Sequence, residues 1–285
     1  MVFIPKQKKK AIKPYHRIKA HANPASDYNF YYPTGPESYD WTKNYPQQPM
    51  NEKKVEIADV GCGYGGLLIS LSSLFPERLS VGMELRDKVV QYVEERIDKL
   101  REKHIGQFQN ISVIRTNAMK YLPNYFEKGQ LQKIFFLFPD PHFKKATHKR
   151  RIISPTLLSE YAYILAPGAF AYFISDVEEL YLWMFEHFKN HPLFEQVERN
   201  IAENDSCIPL IVNSTEEGRK VNRIDGKKWF AVFRRITDPT KKDLAFKNYT
   251  LTSPKEIEST TSTTTTTTTT TSTITEIDSK EEESK

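Results

Sequence analysis

Residues 55–66 have the sequence VEIADVGCGYGG, a short apolar run that opens into a cluster of glycines. Gly61, Gly63 and Gly66 fit the pattern G-x-G-x-x-G, and Glu84 ends the next apolar run about twenty residues later, as in nucleotide-binding α/β sheets. Glycine lets a backbone approach a ligand closely, and a carboxylate at that place accepts hydrogen bonds from ribose hydroxyls. The pattern predicts a strand, a loop and a helix that bind a nucleoside cofactor. It fits both NAD and S-adenosylmethionine, and the structural alternative is a glycine-rich turn beside a solvent-facing glutamate.

Outward from this unit, apolar runs alternate with helical patterns, which is typical of a largely parallel sheet with helical crossovers. The predicted strands are residues 55–60, 79–85, 111–114, 134–138, 169–174 and 229–233. We expect the last strand, which is rich in aromatic residues, to be antiparallel at the far end of the sheet. Asp87 is predicted to cap the helix after the second strand. Pro167 and Gly168 are predicted to end the helix before the fifth strand.

The fourth predicted strand leads into residues 135–145, which have the sequence FFLFPDPHFKK. Four consecutive apolar residues predict a central strand buried on both faces, and the two prolines around Asp140 end its pairing and stiffen its exit. Ligands bind at the carboxyl ends of strands in open α/β sheets, so Asp140 is the candidate catalytic residue. The alternative is that an aspartate before a proline only shapes a turn.

A basic run follows directly and consists of Lys144, Lys145, His148, Lys149, Arg150 and Arg151. Cations beside a rigid acid indicate a polyanionic substrate, and phosphate contacts by these residues would make binding depend on salt. A solvated surface is the ordinary alternative. Aromatic residues nearby, such as Phe143 and Tyr32, either stack on unpaired bases or fill the core, and we assign a stacking role to none of them.

Asn117 and Ala118 follow the third predicted strand. Residues at that position are candidates to contact the adenine ring of a bound cofactor. Polar residues at strand ends also form simple turns, and that alternative stays open.

Composition divides the 285-residue chain into three parts. We expect a basic, largely flexible arm over residues 1–35, one folded domain over residues 36–250 and a disordered, Thr-rich acidic tail over residues 251–285. Without residues 255–285, which hold three lysines and seven acids, the chain has 38 basic and 29 acidic residues, a net charge of +9 instead of +5. Such a basic body favours nucleic acid or an anionic membrane as partner.

Two cysteines, Cys62 and Cys207, have no paired spacing, so we expect neither a disulfide framework nor a metal site. The chain shows no cleavable signal pattern and no apolar stretch of membrane-spanning length. We therefore expect an intracellular, soluble protein with no membrane partner.

Four motifs together resemble those of the tRNA (guanine-N7)-methyltransferases, and the eukaryotic branch more than the bacterial one. They are residues 57–63 (IADVGCG), 82–86 (GMELR), 138–144 (FPDPHFK) and 214–218 (STEEG). The resemblance covers roughly residues 21–235. Leu85 stands where isoleucine is frequent in the family, and the Thr-rich tail has no family counterpart.

The resemblance implies roles for individual residues. Asp140 is the implied catalytic position, and Thr215 and Glu217 are implied to close over the methyl donor. The implied lining of the donor pocket is Gly61, Glu84, Leu85, Arg86, Asn117, Ala118 and Leu137. For the basic run, our prediction is that Lys144, Lys145, Lys149, Arg150 and Arg151 contact RNA phosphates.

The resemblance also implies the fold and the biological setting. The fold is that of a class I S-adenosylmethionine-dependent methyltransferase, a Rossmann-like α/β domain with a mostly parallel seven-stranded sheet. The implied reaction methylates N7 of a guanosine in the variable loop, position 46, of tRNA. A WD-repeat protein is the implied non-catalytic subunit of a heterodimer. We expect the protein in the nucleus and, as a second location, in the cytoplasm. The basic arm is then expected to supply either tRNA contacts or a nuclear import signal.

Three other functions remain open on the sequence. The loop at residues 139–143 also resembles the acid-Pro-Pro-aromatic loop of methyltransferases that act on exocyclic amines. A catalytically idle RNA-binding subunit would keep the fold as a scaffold, although the intact cofactor motifs oppose this. A nicotinamide dehydrogenase is disfavoured because no hydride-transfer residues or separate substrate domain are evident.

Overall fold

The computed structural model describes residues 22–26, 31–224 and 226–238. The strands are β1 (Val55–Val60), β2 (Leu79–Glu84), β3 (Ile111–Arg115), β4 (Leu131–Leu137), β5 (Leu165–Ser175), β6 (Phe194–Gln196) and β7 (Trp229–Arg235). The α-helices are α1 (Gly66–Leu74), α2 (Asp87–Lys103), α3 (Ala118–Tyr121), α4 (Pro155–Ile164), α5 (Glu178–Asn190), α6 (Arg199–Glu203), α7 (Ile208–Asn213) and α8 (Glu216–Arg223). Short 3₁₀ helices cover Pro36–Ser38, Trp41–Lys43, Leu122–Asn124 and Lys145–Arg150.

The strands form a single seven-stranded sheet in the order β3-β2-β1-β4-β5-β7-β6. Strands β1 to β5 are mutually parallel, and β7 is antiparallel to both of its neighbours. Because the strand order reverses between β1 and β4, the carboxyl ends of these two strands flank the crevice where ligands of doubly wound sheets bind. The topology confirms the predicted class I methyltransferase fold.

The sequence predicted β7 as the outermost strand of the sheet. In the structure, β6 pairs on the outer side of β7 and forms the edge. Strand β6 has only three residues, of which Glu195 and Gln196 are exposed. So short a segment carries no readable alternation of apolar and polar residues, and nothing in the sequence separated it from a loop.

Helices cover both faces of the sheet because its central strands are apolar on both sides. On one face Phe135 and Tyr172 stack at 4.6 Å and pack with α1 and α7. On the other face Phe136 and Phe173 pack with α4 and α5. Each fully buried side chain of this size contributes about 1.5–3 kcal/mol, so the sheet and its two helix layers form a rigid platform.

Two local boundaries differ from the predictions. Arg86 occupies the N-cap position of α2, and Asp87 is the first helical residue, where its charge still favours the helix dipole. Pro167 and Gly168 do not end a helix but lie exposed inside β5. The register between β4 and β5 shifts there, so the extra residues of β5 bulge out of the ladder and need no pairing.

The described N-terminal residues lie along α3 and the 3₁₀ helix Leu122–Asn124. Pro24 O accepts a hydrogen bond of 2.7 Å from Asn117 Nδ2, and Pro33 O accepts one of 2.7 Å from Asn124 Nδ2. Between these contacts, Tyr32 stacks on Tyr121 with ring centroids 3.9 Å apart. The segment thus runs beside the carboxyl end of β3.

Much of the predicted arm and tail lies outside the described residues, so the three-part division stays a prediction. A second unit of the chain, Lys241–Lys285, is entirely outside them. Across residues 22–26, 31–224 and 226–238, no helix is long and apolar enough to cross a membrane. Over the same residues, no cluster of His, Cys, Asp and Glu is suited to a metal ion.

Candidate active site

The glycine loop after β1 has a backbone that only glycine adopts easily. Gly61 and Gly63 have φ angles of +75° and +53°, and a Cβ at either position would meet no atom within 4 Å. The amides of Gly61 and Cys62 both donate to Met83 O, at 2.8 and 3.2 Å, which fixes the loop to β2. A held backbone that faces open space is the cradle that a nucleoside ligand requires.

The glycine loop is also covered by the start of α8. A Cβ on Gly66 would lie 2.3 Å from Ser214 O, so only glycine permits this close contact. Arg96 of α2 ties the two segments together, since its Nη1 donates to Tyr64 O at 2.8 Å and to Glu216 Oε1 at 3.1 Å. No local sequence pattern predicts this connection, because residues 64, 96 and 216 are far apart in the chain.

Glu84 at the end of β2 is buried, and its carboxylate is held by donors of the protein itself. Its Oε1 accepts from the amides of Leu85 and Arg86 at 2.8 and 2.9 Å. The Arg86 guanidinium adds donations from Nε to Oε1 at 3.1 Å and from Nη2 to Oε2 at 2.9 Å. A carboxylate oxygen has room for at least two hydrogen bonds. Oε2 accepts one from Arg86, so it can also accept one from a ribose hydroxyl.

Arg86 links this carboxylate to the predicted catalytic acid. Burial by itself lowers the pKa of Arg86, but the hydrogen bond and charge of Glu84, followed by Tyr64 and Asp140, raise that pKa above its ordinary value. Arg86 therefore stays fully charged. The structure brings Glu84, Arg86 and Asp140 into one electrostatic neighbourhood, as the motifs predicted for a single site.

Asn117 and Ala118 lie at the carboxyl end of β3, next to Glu84. Asn117 is buried and acts as the N-cap of α3, with Oδ1 accepting from Met119 N at 3.1 Å, while its Nδ2 holds Pro24 O. The simple turn-forming role is thus real. Ala118, the first residue of α3, is buried at the same edge, and its predicted contact with adenine stays a prediction.

Asp59, two residues before the glycine loop, is a buried acid that sequence analysis did not assign. Burial, followed by the charges of Glu84 and Glu216, raises the pKa of its carboxyl group to about 8. Asp59 is therefore mostly protonated at neutral pH, and this spares the site a second buried negative charge beside that of Glu84.

The Asp140 loop leaves β4 through a strained backbone. Phe138 has a φ of +48° and His142 a φ of +45°, in the left-handed region that costs a bulky residue about 1–2 kcal/mol. Phe138 N donates to Ile174 O at 2.9 Å, so the exit remains tied to β5. Leu137, the last residue of β4, is half-buried beside it. Strain of this kind persists where the surroundings over-determine a functional conformation.

The basic run divides into exposed and buried cations. Lys144, Lys145 and Lys149 are exposed, and Arg150 is half-buried. Arg151 is only 1% exposed and is fully engaged by protein groups. The predicted phosphate contact is therefore wrong for Arg151, because its guanidinium lies inside the domain.

Thr215 and Glu217 begin α8 on the far side of the glycine loop. Thr215 Oγ1 caps the helix by accepting from Gly218 N at 2.9 Å. The exposed Glu217 pairs with Lys220 at 3.2 Å, whereas its neighbour Glu216 faces the glycine loop, with Oε2 3.1 Å from the Cβ position of Gly66. The structure thus places Glu216, and not Glu217, closest to the loop.

These residues fit S-adenosylmethionine. The open space over Gly61 and Gly63 suits a close ligand, and the fixed Glu84 carboxylate suits a ribose. The half-buried Asp140 lies within electrostatic reach of Arg86, at the edge shared by β4 and β1. The arrangement can hold a nucleoside next to an acid that orients a second substrate.

Comparison with known proteins agrees with this site. A model of a family described as putative methyltransferase matches residues 53–231. A tRNA (guanine-N(7)-)-methyltransferase of Dictyostelium discoideum is 94% identical over 96% of this chain and 97% of that protein. Proteins of the same name from Brugia malayi and Xenopus laevis are 56% and 53% identical, each over 80% of this chain and over 88% and 90% of their own length.

Two solved structures are similar at much lower identity. An antibiotic-related methyltransferase aligns with a TM-score of 0.47 and 14% identity over 66% of this chain and 90% of its own. The 16S rRNA methyltransferase KamB aligns with a TM-score of 0.44 and 15% identity, again over 66% and 90%. The family follows from the sequence matches and from the site geometry: this chain belongs to the tRNA (guanine-N7)-methyltransferases, a family of methyl-transferring enzymes.

Proposed function

We propose that the protein transfers the methyl group of S-adenosylmethionine to N7 of a guanosine in the variable loop, position 46, of tRNA. The observation that carries this proposal is the joint placement of Asp140 and the Glu84–Arg86 pair beside the glycine loop. The substrate is supported by the curated relatives, which are named for this tRNA reaction. The position in tRNA rests on the family resemblance alone.

Guanine N7 requires little chemical activation. It carries a lone pair on the major-groove edge of the base and is not protonated, so it attacks a methyl carbon without first losing a proton. No general base is needed, and catalysis then depends on positioning and electrostatics. Two acids of the site support this, because Glu84 is engaged by Arg86 and two amides and Asp59 is mostly protonated, so neither is available as a general base.

S-adenosylmethionine, when bound, supplies an electrophilic methyl group on its sulfonium ion. We assign Gly61, Glu84 and Asn117 to its nucleoside portion, because the open backbone and the fixed carboxylate lie there. The other residues assigned to the pocket are Leu85, Arg86, Ala118, Leu137, Thr215 and Glu217.

Asp140 orients the target base. Ionised, it accepts a hydrogen bond from guanine N1–H or from the exocyclic amine, and its charge stabilises the positive charge that develops on the purine ring. The two flanking prolines and the strained Phe138 and His142 fix its position before substrate binds. A preorganised charge avoids reorganisation during the reaction.

The exposed cations beyond Asp140 bind the tRNA backbone. Lys144, Lys145 and Lys149 lie within nine residues of Asp140 in sequence and face solvent, with the half-buried Arg150 among them. Such contacts fix the register of a folded RNA without selecting sequence. We further propose a WD-repeat subunit as partner and the nucleus as location, both from the family resemblance.

The test is to incubate the purified protein with unmodified tRNA and methyl-labelled S-adenosylmethionine, alone and with a WD-repeat subunit, and to map the product by mass spectrometry. The expected product carries the label at N7 of the variable-loop guanosine. A label on an exocyclic amine would favour the amine methyltransferase. Calorimetry without detectable binding of S-adenosylmethionine would favour the idle RNA-binding subunit.

A further inference from the structure

Arg151 is buried in the wall behind the catalytic loop. Its Nη1 and Nη2 donate to the two carboxylate oxygens of Glu179 on α5, at 2.9 and 2.7 Å. Its guanidinium carbon lies 4.7 Å from the ring centroid of Trp183, one turn further along α5. Trp183 is itself held by a hydrogen bond of 2.9 Å from its indole nitrogen to Ile153 O. The guanidinium is therefore fixed both in its plane and by stacking.

The third nitrogen of the guanidinium reaches the catalytic loop. Arg151 Nε donates to Pro141 O at 2.9 Å. This carbonyl belongs to the peptide unit that joins Pro141 to His142, the residue whose φ is +45°. The hydrogen bond thus holds the peptide plane that immediately precedes a left-handed residue, and it lies one residue after Asp140.

Asp140 is consequently held from both sides. On one side Phe138 N is bonded to Ile174 O of β5, and on the other side Pro141 O is bonded to Arg151. The two prolines between these points fix their own φ angles. Few backbone torsions remain by which the carboxylate can shift.

We propose that Arg151 is a positioning residue for methyl transfer, which sets the geometry of Asp140 through Pro141 O and is itself set by Glu179. The inference rests on the proposed function, with Asp140 as the acid that orients the base. It replaces the phosphate contact predicted for Arg151 by a role in the chemical step. An exposed cation of the same run, Lys149, keeps the phosphate role and provides a contrast within one loop.

The test compares Arg151→Ala, Arg151→Lys and Lys149→Ala in steady-state methylation of tRNA, which gives kcat and KM for tRNA separately. For both Arg151 variants we expect kcat to fall about 10- to 100-fold, the range in which a misplacement of about 1 Å acts, with KM for tRNA unchanged within about threefold. Lysine should not rescue kcat, because the three N–H donors of an ammonium sit on one nitrogen and cannot reproduce the planar fork that reaches both Glu179 and Pro141 O. Lys149→Ala, at a residue of the proposed tRNA-binding run, should act chiefly by raising KM for tRNA and reducing the salt dependence of KM.

A second pair of variants avoids the risk that Arg151→Ala fails to fold. Glu179 and Glu178 are exposed neighbours in the first turn of α5, and Glu179 but not Glu178 bonds Arg151. Glu179→Gln should lower kcat several-fold, and Glu178→Gln should not. In the double variant Arg151→Lys with Glu179→Gln, the loss should not exceed that of Arg151→Lys alone, because both changes act through one connection.

The opposite results would overturn the proposal. They are equal kcat for Glu179→Gln and Glu178→Gln, or an Arg151→Lys variant with wild-type kcat. An increase in KM for tRNA confined to the Arg151 variants would instead restore the phosphate role. Wild-type protein that forms no N7-methylguanosine would overturn the proposed function and this inference with it, whereas active wild-type protein with unaffected Arg151 variants would overturn the inference alone.

Discussion

Glu84 and Arg86, two residues apart at the end of β2, form a side-on ion pair in which Nη2 lies 2.9 Å from Oε2 and Nε lies 3.1 Å from Oε1. Two backbone amides complete the set of donors to Oε1. The protein itself therefore orients this carboxylate, and an acceptor held in place by protein donors reduces the ordering that binding requires.

Replacing Glu84 by Gln should weaken binding of S-adenosylmethionine by about 10- to 100-fold. The variant loses a charge-assisted hydrogen bond of about 1.5–3 kcal/mol to the ligand, and it places an amide against Arg86. Isothermal calorimetry measures the change. Glu95→Gln, which removes only a surface pair with Lys99, is the control and should bind as wild type does. Equal affinities of the two variants would contradict the role of Glu84.

Replacing Asp140 by Asn should slow single-turnover methylation about 100-fold or more, because one preorganised electrostatic contact is worth about 3 kcal/mol in comparable sites. Affinity for S-adenosylmethionine should change little, since no ligand contact of Asp140 is proposed. Quenched-flow measurement with labelled donor gives the rate. Asp98→Asn on the exposed side of α2 is the control. A nearly wild-type rate for Asp140→Asn would remove its catalytic role.

Each exposed lysine of the basic run should account for one released counterion. Changing Lys144, Lys145 and Lys149 to Ala one at a time should lower the slope of log K against log salt concentration by roughly 0.7–0.9 per residue. Filter binding of tRNA over a salt series measures the slope. The control is Lys103→Ala. Lys103 is exposed in the last turn of α2, and its replacement should leave the slope unchanged. A slope that stays constant in all three variants would refute the phosphate contacts.

The raised pKa of Asp59 predicts a pH-dependent stability. The unfolded chain ionises this carboxyl group near pH 4, but the folded protein keeps it protonated up to about pH 8, so stability is lost as the pH rises between these values. Relative to wild type, Asp59→Asn should gain stability from pH 5 to pH 9, on the order of a few kcal/mol at about 1.4 kcal/mol per pKa unit.

Urea unfolding of both proteins without ligand, at pH 5, 7 and 9, tests this prediction. The reference is Asp98→Asn, which makes the same chemical change at an exposed position of α2. A constant difference between Asp59→Asn and wild type would show that Asp59 is ionised in the folded protein.

Local sequence predicted most of the sheet and the cofactor side of the site. Strand β1 and the glycine loop were evident because their chemistry lies within twelve consecutive residues, 55–66. The exit of β4 and the place of Asp140 followed from apolar residues next to prolines. In these segments, the covalent neighbours of a residue largely determine its conformation.

The rest depended on contacts between distant residues. No local pattern distinguishes the exposed Lys149 from the buried Arg151, because burial is decided by Glu179 and Trp183 on another helix. The same holds for the contact of Arg96 with Glu216, which covers the glycine loop. The basic run therefore predicted a polyanionic substrate, but it did not show which of its cations are exposed to bind one.

The contacts of Asn117 with Pro24 and of Tyr121 with Tyr32 constrain how this protein can be shortened. A truncated form that starts at the first 3₁₀ helix, Pro36–Ser38, would keep all seven strands of the sheet. It would lack Pro24 O, the acceptor of the Asn117 side-chain amide. Fragments for crystallisation or ligand screening should therefore begin before residue 22, with any affinity tag at a distance from that end.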